Sequence, residues 1–434
     1  MPNNQKILFR RTIKNFSKVM TGKAVGALMA LAYLALAARG LGPDGLGIII
    51  LIHSYMIMFT RIISFKSYDI IVKYGADSIS SNNFSDFQEL VKFTFLLDFF
   101  GAIVGIIIGT SIVRFWGSHF GIPENSTTIA AIYCILIFSN ITDTTTGILR
   151  ISDRFDLVAI LATVEPIVRL IGVSIAFYQD ASWQVYLLAW FVARIFYCAI
   201  SLIITIRELL KKNYLCSFTF STPNLSHRWP KIWRFSWSSN FYGTVNSIGI
   251  QLTTLVVGSS IGTSGAALFK IAQEVAEASA KAAQTFGTAL YPELARLVSS
   301  KIGVKEIKSV VNKTVKSSLT FGVLFTTVLI FSGHFLLGGI FGAEFVGAHE
   351  VMVVLSIGTT ILLATFPYEA AVYSIGKPHI AFFIKLTATI VQLSALVLML
   401  GAFGLLGAGY AIVLSSSLSA ILLASITRIN LNDN

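Results

Sequence analysis

The chain has 434 residues, of which 55% are hydrophobic and 12% charged, with a mean hydropathy of +0.75. A soluble domain carries roughly 25% charged residues, so this composition excludes a large soluble enzyme and indicates an all-α polytopic integral membrane protein. The net charge of +12, from 33 Lys and Arg against 21 Asp and Glu, reads in so apolar a chain as basic cytoplasmic loops rather than as a nucleic-acid surface.

In chain order, residues 5–18 come first, basic (Lys6, Arg10, Arg11, Lys14, Lys18) and mildly amphipathic, a pattern suited to the membrane surface. The next apolar run contains Ala35-Leu36-Ala37, which mimics a signal-peptide cleavage site. Many more apolar segments follow, so this run is expected to stay as the first span. A spanning helix needs about 20 apolar residues. Runs of that kind fall at roughly 21–39, 46–70, 91–113, 128–148, 157–178 and 184–206, then at 235–258, 265–290, 316–340, 350–373, 379–402 and 405–427. The expected architecture is therefore about twelve spans. A six-helix half at 1–210 and another at 235–434 are joined by a polar, basic linker at 211–234.

The linker and the alternate loops carry most of the Lys and Arg, whereas the loops on the other side hold only Arg39 and Arg114. That asymmetry places both termini in the cytoplasm and supports an even number of spans. Trp116, Trp183, Trp229, Trp233 and Trp237 fall near expected membrane surfaces and read as interfacial anchors. Cys134, Cys198 and Cys216 have no paired spacing and the six histidines are scattered, so neither a disulfide framework nor a metal site is expected. The sequence shows no nucleotide-binding loop and no nucleophile–base pattern near a helix end, so no cofactor is expected.

The two halves repeat. Leu41-Gly42-Pro43-Asp44-Gly45-Leu46-Gly47 and Ile261-Gly262-Thr263-Ser264-Gly265-Ala266-Ala267 are offset by 220 residues with two glycines in register. At the same offset Trp190 corresponds to Tyr410. Ser152-Asp153-Arg154 and Ile375-Gly376-Lys377 match at an offset near 223. Six helices per half give both halves one orientation, so an axis along the membrane normal should relate them, a design used by transporters.

The arginine and glycines of Arg39 to Gly47, and Tyr291-Pro292-Glu293-Leu294-Ala295-Arg296-Leu297 later, resemble the signatures of polysaccharide flippases. The stretch from Ser64 to Ala76 is similar to the second-helix exit of lipopolysaccharide-biosynthesis members of the multidrug/oligosaccharidyl-lipid/polysaccharide exporter superfamily. The resemblance covers the whole chain and implies two six-helix lobes around a central cavity in a bacterial inner membrane. It also implies transport of an undecaprenyl-pyrophosphate-linked oligosaccharide between leaflets for O-antigen, capsule or exopolysaccharide, alongside a polysaccharide polymerase and chain-length proteins.

Charges inside spans are costly and face a cavity or a partner. They are Arg61, Asp98, Asp143, Glu165, Arg169, Arg194, Lys270, Glu274, Glu277, Lys281, Glu369 and Lys385. In the eighth segment, Lys270, Gln273, Glu274, Glu277, Lys281 and Gln284 form one polar stripe. It reads as a cavity wall, as internal Lys270–Glu274 and Glu277–Lys281 pairing, or as a cytoplasmic surface helix. Arg61 and Lys281 are 220 residues apart, and each lies about 22 Å along its helix from the outer end. They are the expected cations for a pyrophosphate, with Lys270, Arg169, Arg194 and Lys385 extending the basic lining. Glu274, Glu277, Glu165 and Glu369 are the cavity or coupling carboxylates. The competing reading for Arg169 is an i,i+4 salt bridge with Glu165. Glu165-Pro166 and Pro367-Tyr368-Glu369 mark kinks that serve as hinges, ion sites or plain packing.

Three function classes follow: a lipid-linked oligosaccharide flippase, a cation-coupled multidrug antiporter of the same superfamily, and a membrane polymerase or ligase. An antiporter would place carboxylates in its first helix, which has none, and a polymerase would show a long outside loop, whereas those here are roughly 15 residues or shorter.

Overall fold

The computed structural model describes residues 3–214, 229–280, 304–374 and 377–432. Among these, regular structure is entirely helical, and nine helices are long and apolar enough to cross a membrane. The elements are α1 (Asn3–Ile63), α2 (Phe84–Trp116), α3 (Thr142–Ile151), α4 (Phe155–Tyr178), α5 (Trp183–Lys211), α6 (Trp229–Ile261), α7 (Thr263–Ala276), α8 (Val304–Leu336), α9 (His349–Ser374), α10 (Pro378–Phe403) and α11 (Leu405–Asn432). Two shorter helices, Thr127–Tyr133 and Cys134–Ile141, lead into α3.

The expected apolar runs fall on helical segments, the fourth divided among three of them, except that the last ten residues of the eighth, 281–290, lie outside the described residues. The helices overrun the apolar runs by several residues at many ends, because polar flanks continue the backbone hydrogen bonds that lipid demands. The basic stretch at 5–18 likewise continues into the first span, since the one non-helical residue in α1 is Gly42. Of the expected linker, residues 229–234 begin α6 and residues 215–228 lie outside the described residues, as does the Tyr291–Leu297 motif.

The chain forms two compact units. The first comprises Met1–Leu41, Tyr55–Gly117 and Pro123–Thr244; the second comprises Gly42–Ser54, Ser118–Ile122 and Val245–Asn434. In the first unit Ile70, Ile71, Phe87, Leu90, Val91, Phe93 and Ile148 form a buried apolar cluster. In the second, α9 packs against α8 and α11. Phe331 and Phe335 of α8 remain 84% and 85% exposed, as expected where lipid is the solvent.

The repeat is visible in the backbone. Gly42 ends the first half of α1 at φ +64, ψ −176, and Gly262 separates α6 from α7 at φ +93, ψ −177. Each turn needs a residue without Cβ, because positive φ is costly for other residues. A second pair, Gly121 and Gly342, follows Phe120 and Phe341 with φ +75 and +116, at an offset of 221. Within the second unit the repeated turns touch: Asp44 Oδ1 accepts from Thr263 Oγ1 at 2.7 Å and Ser264 Oγ at 2.5 Å.

One expectation needs correction. The run at 46–70 is not one helix: α1 stops at Ile63, Lys66 adopts φ +49, and a short helix, Ser67–Ile70, passes into a wider turn, Ile71–Gly75. Two carboxylates, the buried Asp98 and the partly buried Asp143, hold the hydroxyls that flank the break. Ser64 Oγ donates to Asp143 Oδ2 at 3.0 Å, while Ser67 Oγ and Thr144 Oγ1 donate to Asp98 at 2.5 and 2.7 Å. Irregular backbone at membrane depth persists only where protein groups or a wet cavity cover it.

Candidate functional site

A cavity of about 260 Å³ opens in the first unit, lined by Tyr33, Leu161, Ala162, Glu165, Pro166, Arg169, Arg194 and Tyr197. Its position follows from small residues. Gly22 and Gly26, spaced as in a Gly-x-x-x-Gly motif, bring α1 against the backbone of α4; a Cβ at Gly26 would sit 2.8 Å from the Ala162 carbonyl oxygen. Tyr33 lies seven residues beyond Gly26, and Arg169 seven beyond Ala162, so the same parallel packing sets them side by side. On the other flank Gly172 of α4 admits Ala189 of α5, whose Cβ lies 2.7 Å from the position a Gly172 Cβ would take. This antiparallel contact brings Arg194 to Glu165.

The charged groups form one cluster. Glu165 Oε1 is paired with Arg169 Nη2, and Glu165 Oε2 accepts from Arg194 Nη1 at 2.8 Å. Arg169 Nη1 donates to the Tyr33 hydroxyl at 3.0 Å, and its guanidinium lies 4.4 Å from the Trp190 ring centroid and 5.0 Å from that of Tyr33. Arg194 Nε donates to Ser139 Oγ at 2.9 Å, and its guanidinium lies 5.5 Å from the Tyr197 ring. Arg169 is nearly sealed, its side chain 6% exposed, whereas Glu165 and Arg194 keep 20% and 27%. Glu165 sits about 15 Å along α4 from Phe155 and about 20 Å from Tyr178, the middle of a span. Pro166 stays within an unbroken α4 and contributes cavity wall.

Three of the charges expected in the lining, Glu165, Arg169 and Arg194, thus converge, and the i,i+4 pairing of Glu165 with Arg169 forms. Lys270 pairs with Glu274 at 3.1 Å and also reaches Gln273 Oε1 at 3.3 Å; Glu277 lies one turn on at the end of α7. Glu369 accepts from the Tyr373 hydroxyl at 3.1 Å and acts electrostatically on Lys385. Lys270, Glu274, Glu277, Glu369 and Lys385 do not line the cavity of the first unit. Arg61 is exposed near the end of α1, its carbonyl accepting from Thr244 Oγ1 at 3.1 Å. Lys281 lies outside the described residues. The sequence reading missed Tyr33, Ser139, Trp190 and Tyr197; the spacing of Gly22 and Gly26 was the available signal for Tyr33. Among the described residues no group of three or more His, Cys, Asp or Glu side chains is placed to hold a metal ion.

A family profile described as "Polysaccharide biosynthesis protein" matches residues 12–298. The chain is 29% identical over 347 residues to the inner membrane protein YghQ of Escherichia coli (strain K12), covering 79% of this chain and 96% of that protein. It is 21% identical over 413 residues to the capsular polysaccharide biosynthesis protein CapF of Staphylococcus aureus, covering 94% and 97%. Its fold matches an inward-facing multidrug resistance transporter of the MATE family and MOP superfamily, with TM-score 0.75, 13% identity and coverage of 94% and 95%. It also matches the lipid II flippase MurJ in an inward closed conformation, with TM-score 0.74, 12% identity and coverage of 96% and 87%.

Proposed function

Because the chain belongs to the polysaccharide biosynthesis protein family, we propose that it is a flippase for an undecaprenyl-pyrophosphate-linked oligosaccharide, moving it from the cytoplasmic to the outer leaflet by alternating access. The observation that carries this reading is the cluster of Glu165, Arg169 and Arg194 lining an open cavity at mid-span. Charged groups in that position mark a substrate pathway. Two lobes, 1–210 and 235–434, joined by the linker 211–234, would rock about the substrate, with both termini cytoplasmic. Arg61 and Lys281 would hold the pyrophosphate. Lys270 and Lys385 would extend the basic path, and Glu274, Glu277 and Glu369 would balance it. A polysaccharide polymerase and chain-length proteins would act on the product. With the cell interior negative, the field favours outward movement of the anion by roughly 2.3 kcal/mol per charge per 100 mV.

Export of cationic drugs is less well supported, because Glu165, the carboxylate that lines the cavity, is held by two arginines. A clean deletion in the native host, with no second flippase present, tests the proposal. Loss of surface polysaccharide with the lipid-linked repeat trapped in the inner leaflet, restored by a plasmid copy, supports it. Normal surface polysaccharide refutes it.

A further inference from the structure

We propose that the cavity between α1, α4 and α5 is a sugar subsite, which takes one uncharged monosaccharide ring of the transported glycan and not its pyrophosphate. The inference rests on the flippase reading and assigns the ligand of this one site.

Charge is the first argument. Both Glu165 oxygens are already engaged, one by each arginine. The cluster is two arginines against one carboxylate, a net charge of +1, so a pyrophosphate with about two negative charges entering here would lie beside a carboxylate and stay only partly compensated, and an anion left unpaired in low dielectric is strongly disfavoured. A neutral polyol meets no such conflict.

Chemistry is the second. A sugar hydroxyl both donates and accepts, so adjacent hydroxyls suit a fixed acceptor beside a fixed donor. The partly exposed edges of Glu165 and Arg194 supply that pair, and Ser139 holds the Arg194 fork from behind. Tyr33 and Tyr197 add phenolic groups to the lining, while Leu161, Ala162 and Pro166 offer an apolar wall to the C–H face of a ring. The third argument is size. A cavity of about 260 Å³ is of the size of one sugar ring, and the rest of a longer glycan would extend out of its open mouth.

The test uses the full-length protein in nanodiscs with two probes. One is the host's own lipid-linked repeat, extracted from a strain lacking this protein; the other is undecaprenyl pyrophosphate without sugar. Ala162→Leu fills the cavity without touching a charge, and Tyr197→Phe removes one hydroxyl with little change of shape. Wild type should bind the glycosylated lipid about tenfold more tightly than the bare one, and Ala162→Leu should erase that preference while leaving affinity for the bare lipid unchanged. Tyr197→Phe, which guards against misfolding of the larger change, should reduce the preference by about threefold. Equal loss on both probes would make this an anion site, and an unchanged preference in both variants would make it a packing void; either overturns the subsite alone. Wild type binding neither probe overturns the flippase reading and the subsite with it.

Discussion

Glu165 is the partner that Arg169 and Arg194 share, so Glu165→Gln removes one charge and leaves two guanidinium groups facing each other in a membrane interior. Deleting one member of a fully buried pair costs about 3–5 kcal/mol. Glu165 and Arg194 keep 20% and 27% exposure, so solvent screens part of this and about 2–3 kcal/mol is expected. Arg194→Gln should cost only about 1 kcal/mol, because Glu165 keeps its bond to the nearly sealed Arg169. In the double variant Arg194 no longer repels Arg169, so the loss should fall short of the sum by about 1–2 kcal/mol. The assay is thermal unfolding of the four proteins in one detergent, followed by tryptophan fluorescence, since Trp190 lies directly against Arg169. At roughly 2–4 °C per kcal/mol for a domain of this size, Glu165→Gln should melt about 5–10 °C below wild type. A Glu165→Gln protein as stable as wild type, or strictly additive losses in the double variant, would refute the shared-partner reasoning.

Single cysteines in an otherwise cysteine-free protein test orientation. One placed in the 211–234 linker should resist a membrane-impermeant thiol reagent in intact cells, and one at Asn125 should react; the opposite pattern would invert the topology. Gly42→Ala and Gly262→Ala should each lower the melting temperature, and by similar amounts. Each forces Cβ into a backbone strained by about 1–2 kcal/mol; at Gly42 that atom lies 2.8 Å from Glu344 Oε2, the tip of an exposed side chain that can turn aside, and at Gly262 it meets nothing within 4 Å. Arg61→Ala and Lys281→Ala should sharply cut polysaccharide export at near-normal membrane abundance, with Lys281→Arg retaining more activity than Lys281→Ala. Abundant and fully active alanine variants would remove both residues from the pyrophosphate site.

Hydropathy was enough to locate the spans because lipid forces every buried backbone group into a helix, so an apolar run of sufficient length has one outcome. Where the chain departs from that outcome, hydropathy carried no mark, although the resemblance of Ser64 to Ala76 to a second-helix exit begins at the break. The break at Ser64–Lys66 contains neither glycine nor proline; Asp98 and Asp143, brought in from later in the chain, accept from the Ser67 and Ser64 hydroxyls on either side of it. The candidate site divides in the same way. Arg169 is four residues from Glu165 and one helix turn brings them together, so that pair was legible. Arg194, 29 residues away, reaches Glu165 only through the approach of α4 and α5 at Gly172. The consequence was equally hidden. For Arg194 the sequence offered a lining cation, and tertiary contact makes it a second partner of the carboxylate that Arg169 already holds.

The contact between Asp44 and Ser264 bears on the ancestry of the molecule. These are the same position in the two repeats. In a symmetric pair of separate subunits, a residue lying on the two-fold axis faces its own copy, and any substitution appears on both sides at once. Two aspartates there would repel, and two serines would lack the charge-assisted bond. An aspartate meeting a serine needs two halves of different sequence, as the halves of one chain can be. This turn therefore records a divergence between the two repeats, and a protein assembled from two identical copies of either half would lose it.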